Sequence, residues 1–248
     1  METQDIFNAS PYISAANQFL TNQGIVLEIG SDFTVFENIS KQQQKATRLG
    51  PKFNPRISKL TDDTAFWIIG RDKKGEVVHT QAVCTIELKR QSLASYLSEH
   101  FSEFFPYKLD RRRSYYQPGP ETPTIEGVVC YHGEFWLKDG KYGYRGKDLT
   151  APLTRLAMAV SLLKWSPDCI FSFMREVVIC KGLAARAGFF HIEPNSLIWS
   201  VPGDKKRLEA WTAWASREDI RHLLKVTSID MFDNPDSVGS KHVIEKAA

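Results

Sequence analysis

Tyr144-Arg145-Gly146-Lys147-Asp148-Leu149-Thr150 stands between a run that reads as a strand and one that reads as an amphipathic helix. Before it, Gly133-Glu134-Phe135-Trp136-Leu137-Lys138 is rich in aromatic and large apolar residues, as strands are. After it, Leu153, Leu156, Ala157, Val160 and Leu163 recur at helical spacing and form one face. Thr150 is the expected N-cap, and Pro152 falls in the first turn, where its missing N–H costs nothing. A basic, glycine-containing turn that opens a helix directs unpaired amides to one place. With the positive end of the helix dipole, it makes a site suited to phosphate or pyrophosphate. The plain alternative is an ordinary strand-to-helix connection with a surface arginine and lysine. Asp139-Gly140 adds to that alternative: between Trp136-Leu137-Lys138 and Lys141-Tyr142-Gly143-Tyr144 it is a good hairpin turn, in which Arg145 serves the turn.

Downstream, Trp165-Ser166-Pro167-Asp168 is a stop and turn, and Cys169-Ile170-Phe171-Ser172-Phe173-Met174 reads as a short buried strand. Val177 to Ala187 reads as a second short helix, closed by Gly188 as its C-cap and followed by Phe189 and Phe190. Upstream, residues 11–22 read as helix, Ile25 to Ile29 as a first strand, and Ser31 to Lys45 as a glutamine-rich helix ended by Gly50-Pro51 and Asn54-Pro55. Ala65–Gly70 and Val77–Cys84 flank Arg71-Asp72-Lys73-Lys74-Gly75-Glu76, a strong hairpin signal.

This order of strand, R-G-K loop, helix, strand and helix ending in G-F resembles the acyl-CoA-binding core of the GNAT N-acetyltransferase superfamily. The resemblance covers about residues 25 to 200 and rests more on element order than on motif. Arg145 and Gly146 match the first pair of that family's R-G-x-G loop, whereas Asp148 stands where a second glycine is expected. A carboxylate beside a pyrophosphate is repulsive. The resemblance implies an α/β (α+β) fold with a central, mostly antiparallel mixed sheet flanked by helices. It implies acetyl-CoA or another acyl-CoA as co-substrate and a small amine or amino-acid-like acceptor. It also implies pyrophosphate on the amides of Arg145, Gly146, Lys147, Asp148, Leu149 and Thr150, and a pantetheine arm along Phe135, Trp136 and Leu137. A glutamate or histidine on this strand often serves such enzymes as base, so Glu134 and His132 are the catalytic candidates.

The residues argue for the same pair. Transfer of an acyl group from a thioester to an amine needs a base for the ammonium proton. His132 and Glu134 are two apart and so expected on one strand face. Histidine titrates near neutrality unaided, while glutamate needs its pKa raised by burial. The bland reading leaves both exposed over a core of Tyr131, Phe135 and Leu137. The tyrosine that such enzymes often carry in the last helix, as acid for the thiolate, is missing from Cys180–Phe189. Cys180 and Ser172 are speculative replacements.

Between residues 89 and 124 lies an insertion. Leu93, Tyr96, Leu97, His100 and Phe101 suggest an amphipathic helix, followed by Phe104-Phe105-Pro106-Tyr107 and Arg111-Arg112-Arg113-Ser114-Tyr115-Tyr116. Residues 89 to 113 hold six basic against three acidic side chains, an excess equal to the chain's formal net charge of +3. Beside the acceptor, Arg111, Arg112, Tyr115 and Tyr116 would bind substrate or RNA; as three consecutive arginines before Gln117-Pro118-Gly119-Pro120 they would be a solvated loop. The patch keeps open an aminoacyl-tRNA-dependent transferase of similar fold. Asp148 and the missing tyrosine keep open a catalytically degenerate module that binds coenzyme A or a protein.

At 248 residues, with 42% hydrophobic and 25% charged, the chain suits one enzyme-sized domain over residues 1–225 with a tail over 226–248. Asp204 to Ala215 reads as a helix packing Trp211 and Trp214 on the core, and Ser216-Arg217-Glu218-Asp219 as the cap of another. No run of about 18 apolar residues supports a membrane span. The acidic N-terminus is unlike a signal peptide. Cys84, Cys130, Cys169 and Cys180 form no C-x-x-C pair, so neither a metal cluster nor a disulfide framework is suggested, and a cytoplasmic protein is expected.

Overall fold

The computed structural model describes residues 3–43, 49–105, 108–140, 143–203 and 207–233. In chain order come α1 (Thr3–Asn22), β1 (Val26–Gly30), α2 (Phe33–Gln43), β2 (Ala65–Arg71), β3 (Val77–Glu87), α3 (Leu93–His100) and β4 (Tyr115–Tyr116). There follow β5 (Val128–Leu137), α4 (Thr150–Trp165), β6 (Cys169–Met174), α5 (Glu176–Ile179), α6 (Leu183–Ala187), β7 (His191–Ser200), β8 (Arg207–Ser216) and α7 (Arg217–Asp233). One eight-stranded sheet runs β1-β2-β3-β5-β6-β8-β7-β4. Every neighbouring pair is antiparallel except β5 with β6. This is the mixed, mostly antiparallel sheet flanked by helices that the resemblance implied.

Both faces of the sheet are covered, so β2 reads as a continuous apolar run rather than an alternation. Its Phe66 and Ile68 pack with Ala9, Tyr12 and Ala16 of α1, Leu156 and Ala157 of α4 and Ile220 of α7. Its Ala65, Trp67 and Ile69 pack on the opposite side with Phe33 and Phe36 of α2 and with Leu49 and Phe53. On that same side α3 and Phe104 cover Phe171, Leu197, Trp199 and Trp214 of β6, β7 and β8. Buried Asp5 of α1 and Arg221 of α7 form a two-pronged ion pair, 2.8 and 3.0 Å, that ties the first helix to the last.

Four expectations are corrected here. The stretch read as helix over Asp204–Ala215 is strand β8, with residues 204–206 outside the described residues. Trp211 and Trp214, spaced like a helical face, lie in a strand whose residues 212–215 are all buried because helices and aromatic rings cover its two sides. The helix expected over Val177–Ala187 is broken into α5 and α6 at Gly182, whose φ of +71° favours glycine. Gly188, at φ +104°, closes α6 as expected. Thr150 is not the N-cap of α4: that position is Leu149, without a side-chain cap. The last helix continues past residue 225 to Asp233, its start fixed by Ser216 Oγ accepting the Asp219 amide at 3.0 Å while Asp219 Oδ2 accepts the Ser216 amide at 2.8 Å.

Candidate functional site

On one edge β5 keeps its antiparallel ladder to β3 from Val128 to Leu137. On the other it pairs with β6 only where Val129, Cys130 and Tyr131 meet Cys169, Ile170 and Phe171. Both strands run on, β5 to Leu137 and β6 to Met174, without further pairing to each other. From His132 onward, that edge of β5 is therefore free of strand partners among the described residues. Its amides and carbonyls can pair with an extended, amide-bearing chain.

Opposite this opening, β5 carries a bulge. Thr80 pairs with Trp136 and Ala82 with Gly133, so two steps along β3 face three along β5. Within it Glu134 takes φ +53°, a left-handed conformation costly to a residue with a side chain. Thr80 Oγ1 donates to Glu134 O at 3.1 Å and pins the distortion. The bulge breaks the alternation on which His132 and Glu134 were expected to share a face. Glu134 Oε1 accepts the Gly50 amide at 3.0 Å, on the side of Phe53 and Tyr131. His132 lies on the other side, its ring 6.1 Å from those of Phe135 and Phe189.

The two candidates therefore differ in chemistry. Burial in the aromatic surroundings pushes the Glu134 carboxyl up to about 7, against the opposing pull of the Gly50 amide. The neighbouring Tyr131 ring is enclosed by Phe53, Phe104, Phe171 and Phe173 at 4.6 to 6.0 Å. Lys52, next to Phe53, bonds Tyr96 Oη at 2.5 Å and Glu103 Oε2 at 2.7 Å, fastening residues 51–53 to α3 and the turn after it. His132 is buried, not exposed, and burial depresses its pKa to about 4. Gln81 uses its amide nitrogen on Leu153 O at 2.9 Å, so its oxygen, 2.8 Å from His132 Nε2, accepts from that nitrogen. Neutral His132 is then left with a buried, partnerless acceptor at Nδ1. His79 repeats the pattern: Nδ1 donates to Trp136 O at 2.8 Å, Nε2 has no partner, and burial depresses its pKa to about 3.

At the end of β5 the loop folds back tightly. Lys138 O accepts the amides of Tyr144 and Arg145 at 2.7 and 3.3 Å. Arg145 donates from Nε to Leu137 O at 3.0 Å and pairs with Asp139 Oδ2 at 3.1 Å, so it does brace the turn. Lys141 and Tyr142, the returning limb of the expected hairpin, lie outside the described residues. Gly146 has φ +82° with open space where a Cβ would stand. No acceptor among the described residues takes the amides of Gly146 to Thr150, and Lys147 Nζ lies 4.8 Å over the Tyr144 ring. Asp148, at φ +53°, is exposed. The uncapped start of α4 thus leaves a set of donors that fits a phosphate or pyrophosphate.

Of the remaining candidates, Phe135 and Trp136 are half-buried on the splayed part of β5 and Leu137 is buried at its end. Arg111, Arg112 and Tyr115 are exposed and Tyr116 is buried. They sit in or before β4, at the far edge of the sheet, with β6, β8 and β7 between them and β5. The patch is therefore not beside Glu134, contrary to expectation. Buried Glu193 holds the segment after it, accepting the amides of Gly119, Glu121 and Thr122 at 2.8 to 3.1 Å. Cys180 is exposed at the break between α5 and α6, and Ser172 is buried within β6. Sequence reasoning missed Gly50 and Gln81, the partners of the two candidates. Gly50-Pro51 signalled a breaker, and nothing in the sequence near Gln81 marked it.

No helix among the described residues is long and apolar enough to cross a membrane, and no group of three His, Cys, Asp or Glu among them could hold a metal ion. No family model and no curated protein matches the chain. Solved structures do. The AHL synthase LasI has 13% identity and a TM-score of 0.47, over 80% of this chain and 94% of that one. FeeM, an N-acyl amino acid synthase from uncultured soil microbes, has 7% identity and a TM-score of 0.46, over 80% and 93%. A spermidine N-acetyltransferase from Vibrio cholerae, with CoA and spermine bound, has 8% identity and a TM-score of 0.43, over 80% and 98%.

Proposed function

We propose that the chain is an acyl-CoA-dependent N-acyltransferase acting on a small amine or amino-acid-like acceptor. One observation carries the reading. The splay of β5 from β6, the bulged carboxyl of Glu134 and the undonated amides of Gly146–Thr150 lie along a single strand and the loop that ends it. A thioester with a diamide arm and a pyrophosphate has those three needs: an open strand edge, a reaction centre and an anion cradle. The thioester supplies the activated acyl carbon. Glu134, ionised in part near neutrality, takes the ammonium proton directly or through water. The free amine then forms the N–C bond as the C–S bond breaks, the surplus proton on the new amide nitrogen passes to the departing thiolate, and coenzyme A leaves as the thiol. His132, neutral and on the other face, supports β5 and α4 through Gln81 rather than acting as base. The Arg111–Tyr116 patch, at the far edge, favours no reading that needs RNA at this site.

Calorimetric titration with acetyl-CoA, a long-chain acyl-CoA and free coenzyme A tests the reading, beside an R145A/K147A variant. Micromolar binding that weakens at least about tenfold in the variant is expected. Binding without turnover of any amine would favour a degenerate coenzyme-A-binding module, and no binding to any of the three would end the acyl-CoA reading.

A further inference from the structure

Glu134 is half-buried, and part of its cover comes from a segment distant in sequence. Gly50 donates its amide to Glu134 Oε1 at 3.0 Å and opens a tight turn, Pro51–Phe53, whose Phe53 amide returns to Gly50 O at 2.9 Å. The fit is close: a Cβ on Gly50 would stand 2.9 Å from Phe104 O and 3.5 Å from Glu134 Oε1. Phe104 belongs to a second turn, Phe101–Phe104, which follows α3. Lys52 ties the two turns together. Its side chain, 15% exposed, donates to Tyr96 Oη of α3 at 2.5 Å and pairs with Glu103 Oε2 at 2.7 Å. The other Glu103 oxygen takes His100 Nδ1 at 2.8 Å, and the His100 ring stacks on Tyr96 with centroids 4.7 Å apart. A pair so enclosed adds little net stability once its desolvation is counted, yet it fixes one geometry. An apolar side chain would hold the turn on α3 as well, so stability does not account for an ammonium there.

We propose that Lys52 is a positioning residue for Glu134, an inference that rests on the reading of Glu134 as base. Its clasp on Tyr96 and Glu103 keeps the Gly50–Phe53 turn closed over the carboxyl. Water is thereby excluded on that side, and one amide is left to orient the group. The neighbouring Tyr131 and Cys84 do not compete for the proton: burial raises both, the Cys84 thiol to about 12. His100 touches the clasp through Glu103. Opening the turn would return water to the carboxyl and withdraw the Gly50 amide. The two effects oppose each other, and desolvation is the larger. Without the clasp Glu134 becomes a weaker base.

The test is carbon NMR of the full chain with isotope-labelled glutamate, beside the pH profile of kcat. The Glu134 signal is assigned by its loss in Glu134→Gln, so proton uptake by His100 is read apart from it. In wild type that signal should titrate at about 7. In Lys52→Met the midpoint should fall by at least about one pH unit, and in Glu103→Gln it should fall by less. The rising limb of kcat should move with it, and the affinity for acetyl-CoA should not change. Lys52→Arg, which keeps a cation in reach of both partners, should restore the wild-type midpoint. The first two variants change the local charge in opposite senses, so a fall in both is the mark of the turn and not of a charge. Midpoints that stay at about 7 in both, or that move in opposite directions, would overturn the inference and leave the base reading standing. A midpoint that falls while the kinetic limb stays would remove Glu134 as base, and with it the role of Lys52 in turnover. Should Lys52→Met fail to fold, Glu103→Gln decides alone.

Discussion

Burial raises the carboxyl of Glu134 to about 7, so at neutral pH this one side chain can hold or release a proton at little cost. Turnover should therefore rise with pH through about 7 and then level off. Glu134→Gln should lower kcat about a hundredfold and abolish that rising limb, whereas a limb that survives in the variant would assign the base elsewhere. The same shift has a thermodynamic sign. A carboxyl whose folded pKa lies above its unfolded value of about 4.3 makes the folded state the better proton binder between the two. Its ionisation thus costs stability as pH climbs towards 7, and Glu134→Gln, which keeps an acceptor for the Gly50 amide, escapes that cost. The variant's melting temperature relative to wild type should be higher at pH 8 than at pH 5; the reverse order would refute a raised carboxyl pKa. Both candidates could be seen in the Cys130–Trp136 stretch, but not their separation onto two faces. Period-two reasoning assumes an unbroken strand, and the break depends on Thr80 and on a close approach at Gly133, where a Cβ would stand 2.9 Å from Phe53 and Tyr131 ring atoms. Gly133→Ala should accordingly lower stability by about 1–3 kcal/mol, measured by urea unfolding. It should also reduce turnover by shifting the bulge, and an unchanged protein would mean that the rings yield freely.

Strands β3 and β5 and the start of α4 share two buried neutral histidines, and their behaviour belongs to that unit rather than to either ring alone. His79 and His132 have folded pKa values of about 3 and about 4, below the unfolded value of about 6.5. A depressed pKa gives stability that is complete above the unfolded value and is lost as pH falls towards the folded one. The contribution of the two rings to the unfolding free energy should thus be flat just above pH 6.5 and decline between 6.5 and 4, by on the order of 3 kcal/mol for His132, opposite in sign to that of Glu134 over the same window. His132→Asn, which cannot titrate, should flatten part of that decline even if its overall stability is lower. An unaltered slope would mean that the ring takes up its proton equally in the folded and unfolded states. At this scale legibility followed local order. The hairpin of β2 and β3 carried its turn chemistry in Asp72-Lys73-Lys74-Gly75, and α4 carried its periodicity. β7 had neither: Pro194 and Asn195, the latter at φ +50°, interrupt it with a bulge between Glu193 and Leu197, so no alternation survived. β8 lost its alternation differently, through burial on both faces.

Across the whole molecule the sheet is two four-stranded halves, β1-β2-β3-β5 and β6-β8-β7-β4, joined by the pairs Val129–Cys169, Cys130–Ile170 and Tyr131–Phe171. Such a division depends on pairings distant in sequence, and the chain offers no local mark of it. That is why Arg111–Tyr116, only a dozen residues before β5, was read as a neighbour of the site when it belongs to the far half. The seam has a consequence for binding. An extended ligand that pairs with β5 beyond Tyr131 spans the gap between the halves and places its anionic end on Gly146–Thr150, so it adds contacts that the apo sheet does not make. At a hundred times its Kd such a ligand stabilises by about 2.7 kcal/mol, which for a chain of this size raises the melting temperature by roughly 5–10 °C. Hydrogen exchange should locate that gain. Added protection is expected in residues 132–137, 146–150 and 171–174, with little change in α2 or at the β4 edge. A melting shift accompanied by protection only at the β4 edge would place the ligand on the far half, and the splay between β5 and β6 would then have to be read as a packing feature of the sheet.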